Sequence, residues 1–266
     1  MPESYFVRRL DLVSLLQAGK VLGVWKAVLL RCGEWFSRLT RVLGVKYHHP
    51  LVSISIKGYA HPVHLRLGSS DALVLEQIFL QCEYSALRAI SPQPKTMIDC
   101  GANIGLSAIY FLNRYPDLKL VVVEPDPQNL RICGRNLAPY AERVRFVHAG
   151  VWCRPAGLVL CGSGWGVKVR EAKPEEVPEV EGIDMLSLLR MMPDGEVDLL
   201  KIDIEWSEIV VFGLGTEAWL PKVRNIAIEL HDEECEAVFA KALEPYRFIA
   251  SQFGELTFCQ DIARIL

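Results

Sequence analysis

The stretch Asp99-Cys100-Gly101-Ala102-Asn103-Ile104-Gly105 limits the fold of this chain more than any other. It follows the lead-in Thr96, Met97 and Ile98, which comes after the loop-forming Pro92 and Pro94, and it runs into Leu106–Arg114, which reads as helix. A strand ending in a carboxylate, then a glycine-rich turn, then a helix N-terminus is a nucleotide-binding arrangement. Gly101 permits close approach of backbone to a ligand, and Gly105 permits tight packing of the helix on the strand. The first helical turn offers N–H donors that no carbonyl within the helix uses.

About 20 residues further on, the apolar strand Leu120–Val123 ends at Glu124, where an acidic side chain suits two ribose hydroxyls. The spacing is G-x-x-x-G headed by Asp, not the G-x-G-x-x-G of dinucleotide enzymes. A pyrophosphate needs the bare backbone of the latter, whereas Asp99 suits a cationic or amino-bearing ligand. S-adenosylmethionine carries a ribose, an adenine, an amino group and a sulfonium, and the pattern reads as its site.

With 266 residues and 51% hydrophobic content, the chain has enough material for one sizeable α/β core and a small appendage. A net charge of -3 and a pI near 6.1 argue against nucleic acid as the main partner. Charge is uneven: residues 1–46 carry eight Lys/Arg against Glu3, Asp11 and Glu34, a local +5, so the remainder carries -8. Eight scattered cysteines without a C-x-x-C read as reduced thiols and a cytoplasmic home. The start Met1-Pro-Glu-Ser lacks the order of a signal peptide, and no run reaches the ~20 apolar residues of a membrane span.

Three regions follow. Residues 1–46 read as a basic amphipathic helical arm, with Val21, Trp25, Val28, Cys32, Trp35, Leu39 and Val42 forming one apolar stripe. The stripe fits docking on the catalytic domain or across a dimer, or peripheral contact with a membrane surface. Residues 47–95 read as a β-hairpin (52–56 and 63–67) plus a helix capped at Ser70-Asp71, a capping subdomain. Residues 96–266 alternate strands and helices, the mark of a parallel sheet with crossover helices. Strands are expected near 96–99, 119–124, 143–149, 197–203, 223–230, 246–251 and 256–262, the last two as an antiparallel closing hairpin. Arg154–Gly182 reads as irregular cover over the substrate side.

Ligands of open α/β sheets bind at the carboxyl ends of the strands. Those ends are Asp99, Glu124-Pro125, Ala149-Gly150-Val151, Lys201-Ile-Asp203-Ile-Glu205 and Glu229-Leu-His231-Asp232. Four of them carry carboxylates, and buried carboxylates cost desolvation unless paired or used.

The stretches Met97–Gly105, Val123-Glu-Pro-Asp-Pro127 with Asn129, and Asp198-Leu-Leu-Lys-Ile-Asp-Ile-Glu205 together resemble the FkbM family of S-adenosylmethionine-dependent methyltransferases. Ile228-Glu-Leu-His231 and Ser70-Asp71…Gln77-Ile-Phe79…Glu83-Tyr84 are weaker matches, and the first 50 residues show none. The resemblance implies an α/β Class I methyltransferase fold, Rossmann-like, with a seven-stranded, mostly parallel sheet, and methyl transfer to a hydroxyl of a small-molecule or glycan acceptor. It places Asp99, Gly101, Asn103 and Gly105 at the methionine part and Glu124 at the ribose, with Ala102 and Pro125 beside them as further cofactor-site candidates. Strand three lacks the acidic residue many methyltransferases aim at adenine, so backbone of Gly150 and Val151 is expected there instead. Where the family has Gly after Asp-x-Glu, this chain has Trp206, which either turns into core or walls the substrate pocket.

An alcohol must lose its proton to accept a methyl group, which calls for a base. His231, neutral near pH 7, is the first candidate, with Asp203 and Glu205 as competitors. Those three and Glu229 form a hard-ligand cluster, but no spacing motif supports a metal and the site is expected to be metal-free. A nicotinamide-dependent oxidoreductase would share Glu124, but it lacks its glycine pattern here. A non-catalytic scaffold would keep the cofactor site and work through the arm.

Overall fold

In the computed structural model of this chain the described residues are 18–44, 48–162 and 166–265, so the first part of the expected arm lies outside them. The chain divides into two compact units, Met1–Cys82 and Glu83–Leu266.

In the first unit, helix α1 (Val24–Val42) follows a short helical segment at 18–22, and Gly23 at φ +85° interrupts what the spacing predicts as one helix. The expected stripe is not the buried face. Trp25 is 86% exposed, and Trp35 and Val42 are also exposed, while Ala27, Leu30, Gly33 and Ser37 are buried. The reason is close packing: a Cβ on Gly33 would lie 2.5 Å from the Leu67 side chain. Only the glycine face of α1 allows that approach, and the bulky stripe turns outward.

Strands β1 (Leu51–Ile54) and β2 (Val63–Arg66) pair antiparallel with Ile54 opposite Val63, the expected hairpin. Helix α2 (Asp71–Leu75) widens into a π-turn at Glu76–Leu80. Ser70 makes no capping bond, contrary to expectation. Asp71 is fully buried and accepts from Arg66 through the backbone N–H and the guanidinium at 2.7–2.9 Å.

The second unit is built on a seven-stranded sheet. Its strands are β3 (Thr96–Cys100), β4 (Lys119–Val123), β5 (Val144–Val147), β10 (Leu199–Ile202), β11 (Ile226–Glu229), β12 (Tyr246–Phe253) and β13 (Leu256–Arg264). The order is β12-β13-β11-β10-β3-β4-β5, parallel except for the antiparallel β12–β13 hairpin and its pairing to β11. This is the expected mostly parallel sheet with its closing hairpin. Met97, Ile98, Val121–Val123, Leu199, Leu200 and Ile226–Ile228 are buried, as continuous apolar runs must be when helices cover both faces. The chain leaves β3 toward β4 and β5, then returns to β10 and β11 on the other side. The switch point therefore falls between β3 and β10, where α/β sheets open a crevice.

Among the crossover helices are α3 (Leu106–Arg114) and α4 (Pro127–Leu137). Asp126 caps α4 by accepting from the N–H groups of Gln128 and Asn129, and Pro127 sits in the first turn. Residues 154–182 are not irregular. Strands β6 (Gly150–Val151), β7 (Gly157–Cys161), β8 (Lys168–Glu171) and β9 (Val180–Ile183) form a second sheet in the order β6-β9-β7-β8. Trp152, Leu158 and Val180 form its own small core. Residues 163–165 of the expected cover lie outside the described residues.

Candidate active site

A cleft of about 520 Å³, its open mouth included, lies on the carboxyl rim beside the switch point. Gly101, Asn103, Val123, Glu124, Pro125, Asn129, Ala149, Gly150, Val151, Val167, Val169, Asp203, Ile204 and Glu205 line it. Eight of the residues expected at the site are therefore in its wall: Gly101, Asn103, Glu124, Pro125, Gly150, Val151, Asp203 and Glu205. Asp99, Ala102, Gly105 and His231 are not in it.

The glycine bend is fixed from three sides. The N–H groups of Gly101 and Ala102 both donate to the Val123 carbonyl, and the N–H of Asp203 donates to the Cys100 carbonyl. Gly101 has φ +78°, and a Cβ there would lie 1.8 Å from the backbone oxygen of Asp203. Glycine is required here on both counts. Gly105, at φ +84°, packs against Cys133 and Leu137 of α4, so its close contact is with a helix and not with the strand as expected.

Asp99 has partners that the sequence reading did not name. It is fully buried and is not among the residues of the cleft wall. One carboxylate oxygen accepts from the Ser107 hydroxyl at 2.5 Å, and the other stands 3.3 Å from the Lys201 ammonium. Sequence spacing could not reveal that a lysine on β10 is its cross-strand partner.

Glu124 is buried at the end of β4, with oxygens accepting from the N–H of Asn103 at 2.7 Å and of Asp126 at 3.0 Å. Burial pushes its carboxyl up to about 7 against those hydrogen bonds. Asn129 donates toward the same carboxylate at 3.4 Å. Val167 and Val169, beside and within β8, close the cleft from the second sheet. The alternation Val167-Lys168-Val169-Arg170 was the available signal for them, at the end of a Gly-rich segment that obscured it.

Asp203 and Glu205 follow β10, and His231 follows β11. Nε2 of His231 lies 3.5 Å from Glu205, 3.8 Å from Asp203 and 3.9 Å from Glu229, while Nδ1 lies 3.5 Å from Glu208. Burial lowers the imidazole, but the Glu208, Asp203 and Glu205 carboxylates outweigh it and raise His231 to about 9. The carboxylates around it therefore favour the protonated imidazole over the neutral base expected near pH 7, and His231 is not among the residues of the cleft wall. Burial raises Glu205 to about 7, with Asp203 and Glu208 adding to the rise. One ligand atom each from Asp203, Glu205 and His231 lie within 4.8 Å of one another, close enough to share a cation.

Glu205 and Trp206 take φ of 52° and 70°, a left-handed backbone that side chains adopt at a cost of about 1–3 kcal/mol. The glycine expected after Asp-x-Glu is the residue this turn prefers. Trp206 neither enters the core nor lines the cleft. Its Nε1 donates to Asp232 at 2.7 Å, its ring tilts over His231 at 5.1 Å, and the Lys168 ammonium sits 3.1 Å from its ring centroid.

A sequence model of the family described as methyltransferase FkbM domain matches residues 99–257. Ribosomal RNA small subunit methyltransferase H of Rhodococcus opacus (strain B4) is 46% identical over 52 residues, 20% of this chain and 15% of its own length. The chain thus spans about 15% of that relative. Methyltransferase sdnD of Sordaria araneosa is 29% identical over 174 residues, 52% of this chain and 67% of its own. The crystal structure of methyltransferase FkbM from Methylobacillus flagellatus KT is 16% identical with a TM-score of 0.44, over 70% of this chain and 52% of its own. Among the described residues no helix is long and apolar enough to cross a membrane.

Proposed function

We propose, from the premise that the chain belongs to the methyltransferase FkbM domain family, that it moves the methyl group of S-adenosylmethionine to a hydroxyl oxygen of a small molecule or sugar-containing metabolite. One observation carries the reading: a single cleft at the switch point is lined both by the glycine bend with Glu124 and by the carboxylates of Asp203 and Glu205. The bend and Glu124 suit the donor, with Gly150 and Val151 beside its adenine. Asp203 and Glu205 suit an acceptor hydroxyl that has to lose a proton.

The sulfonium is already a good leaving group, so the chain's main task is to align oxygen, methyl carbon and sulfur. Such alignment supplies about 7–11 kcal/mol of the barrier. The hydroxyl proton passes to one of the two cleft carboxylates, Glu205 or Asp203. His231 stands behind both and holds their charge in place. The C–S bond breaks with its electron pair left on sulfur, giving a methyl ether and S-adenosylhomocysteine.

Calorimetric titration tests the donor half: S-adenosylhomocysteine is expected to bind and NADH to give no heat. A panel of hydroxylated acceptors, followed by S-adenosylhomocysteine release, tests the acceptor half. Donor binding without release on any acceptor would favour a scaffold role and sink the transfer reading.

A further inference from the structure

His231 is 3% exposed in its side chain, and neither ring nitrogen has a hydrogen-bond partner. A buried polar group left in that state is destabilising unless something completes it. Its nearest charged neighbours are carboxylates, with the Lys168 ammonium one ring further out on Trp206. Asp203, Glu205 and Glu229 face Nε2, and Glu208 faces Nδ1, all between 3.5 and 3.9 Å. Lys201 does not make up the balance at this point: it contacts Asp99 at 3.3 Å, the Gly101 carbonyl at 2.7 Å and only the far oxygen of Asp203 at 3.5 Å.

We propose that Asp203, Glu205 and His231 bind a divalent transition-metal cation, which holds the acceptor oxygen during methyl transfer. The three ligand atoms are already within 4.8 Å of one another. One imidazole and two carboxylates match Mn²⁺, Fe²⁺ or Zn²⁺ better than Ca²⁺, which takes oxygen ligands only. The shell behind them is also in place. Glu208 is fully buried, receives the N–H of Ile204 at 2.9 Å and faces Nδ1 of His231. Glu208 stands 3.5 Å from Nδ1 without a hydrogen bond in this structure, and a carboxylate closing onto that nitrogen would fix the tautomer that presents Nε2 to a metal.

The nearest atoms give the ligation. Nε2 of His231, Oδ1 of Asp203 and Oε2 of Glu205 form the set, with Oδ2 of Asp203 toward Lys201 and Oε1 of Glu205 outside it. A hydroxyl bound to the cation becomes more acidic and gives its proton to Oε1 of Glu205. Its oxygen then attacks the methyl carbon as described above, and the positive charge of the sulfonium is neutralised by the electron pair released from the C–S bond. The acceptor role rests on the methyl-transfer reading, but the cation site itself does not.

The test is titration of the full chain with Mn²⁺ alone, followed by loss of the free-ion electron paramagnetic resonance signal. One ion per chain is expected. Glu205→Gln and His231→Asn are each expected to weaken it at least tenfold while binding S-adenosylhomocysteine within twofold of wild type, which also reports that they fold. If His231→Asn loses both ligands, Glu205→Gln at the cleft wall decides alone. No Mn²⁺ bound by the wild type, or equal binding by Glu205→Gln, overturns the site. Mn²⁺ bound without any affinity for S-adenosylhomocysteine would keep the cation and discard the donor.

Discussion

Lys201 and Asp99 are direct cross-strand partners at the ends of β10 and β3, and the ammonium lies 3.3 Å from the carboxylate. Both are buried, and the same ammonium donates to the Gly101 carbonyl at 2.7 Å. Burial alone would lower the lysine, but Asp99 and Asp203 outweigh it and hold it protonated. The pair therefore ties the glycine bend to the two strands flanking the switch point.

Lys201→Met would leave Asp99 as a buried charge with only Ser107 as a partner. Breaking a buried pair in this way costs about 3–5 kcal/mol. Urea unfolding of Lys201→Met is expected to show a loss of that size, and adding Asp99→Asn should recover part of it. If the single variant unfolded at the wild-type midpoint, the pair would not hold the bend.

Gly101→Ala meets both the left-handed backbone and the carbonyl of Asp203, and backbone cannot swing aside as a side chain does. Affinity for S-adenosylhomocysteine is expected to fall at least a hundredfold. Gly134→Ala is the matched control. It lies within α4 with open space at its Cβ, and alanine there is expected to gain about 0.5–1 kcal/mol with unchanged affinity.

Glu124 supplies a pH test. Its carboxyl is raised from 4.5 to about 7 in the folded chain, so the folded state holds a proton that the unfolded state has released. Stability from this group is fully present below about 4.5 and falls as pH rises to about 7, by up to about 3 kcal/mol. The difference between wild type and Glu124→Gln, measured by urea unfolding at pH 5, 6, 7 and 8, is expected to move against wild type as pH rises. A flat difference would mean that the carboxyl titrates normally.

The bend, the acid one strand later and the parallel sheet were legible because each is local: a glycine pattern, a strand end, a run of apolar residues. What escaped was set by partners distant in sequence. Asp99 pairs with Lys201 about a hundred residues on, and the carboxylates that raise His231 come from the stretch after β10. The second sheet was missed because its strands are short and interrupted by glycines and prolines, which weakens any period-two signal. At 206 the departure from glycine marked an unusual position, yet it gave no hint of the left-handed backbone or that Lys168, His231 and Asp232 would hold the tryptophan there.

Helix α1 offers the clearest reversal, since periodicity identifies an apolar face without saying which face is buried. Trp25 lies on the predicted stripe and is 86% exposed, whereas Leu30, off that stripe, is 6% exposed. Surface substitutions away from special features change stability by about 0.5 kcal/mol or less, and buried Leu→Ala costs about 2–5 kcal/mol. Trp25→Ser is accordingly expected to leave the urea midpoint where it is, and Leu30→Ala to lower it clearly. Matching losses from both variants would mean that the tryptophan stripe is covered in solution. A loss from Trp25→Ser alone would mean that α1 is rotated from the orientation described, with the glycine face of Gly33 turned away from Leu67.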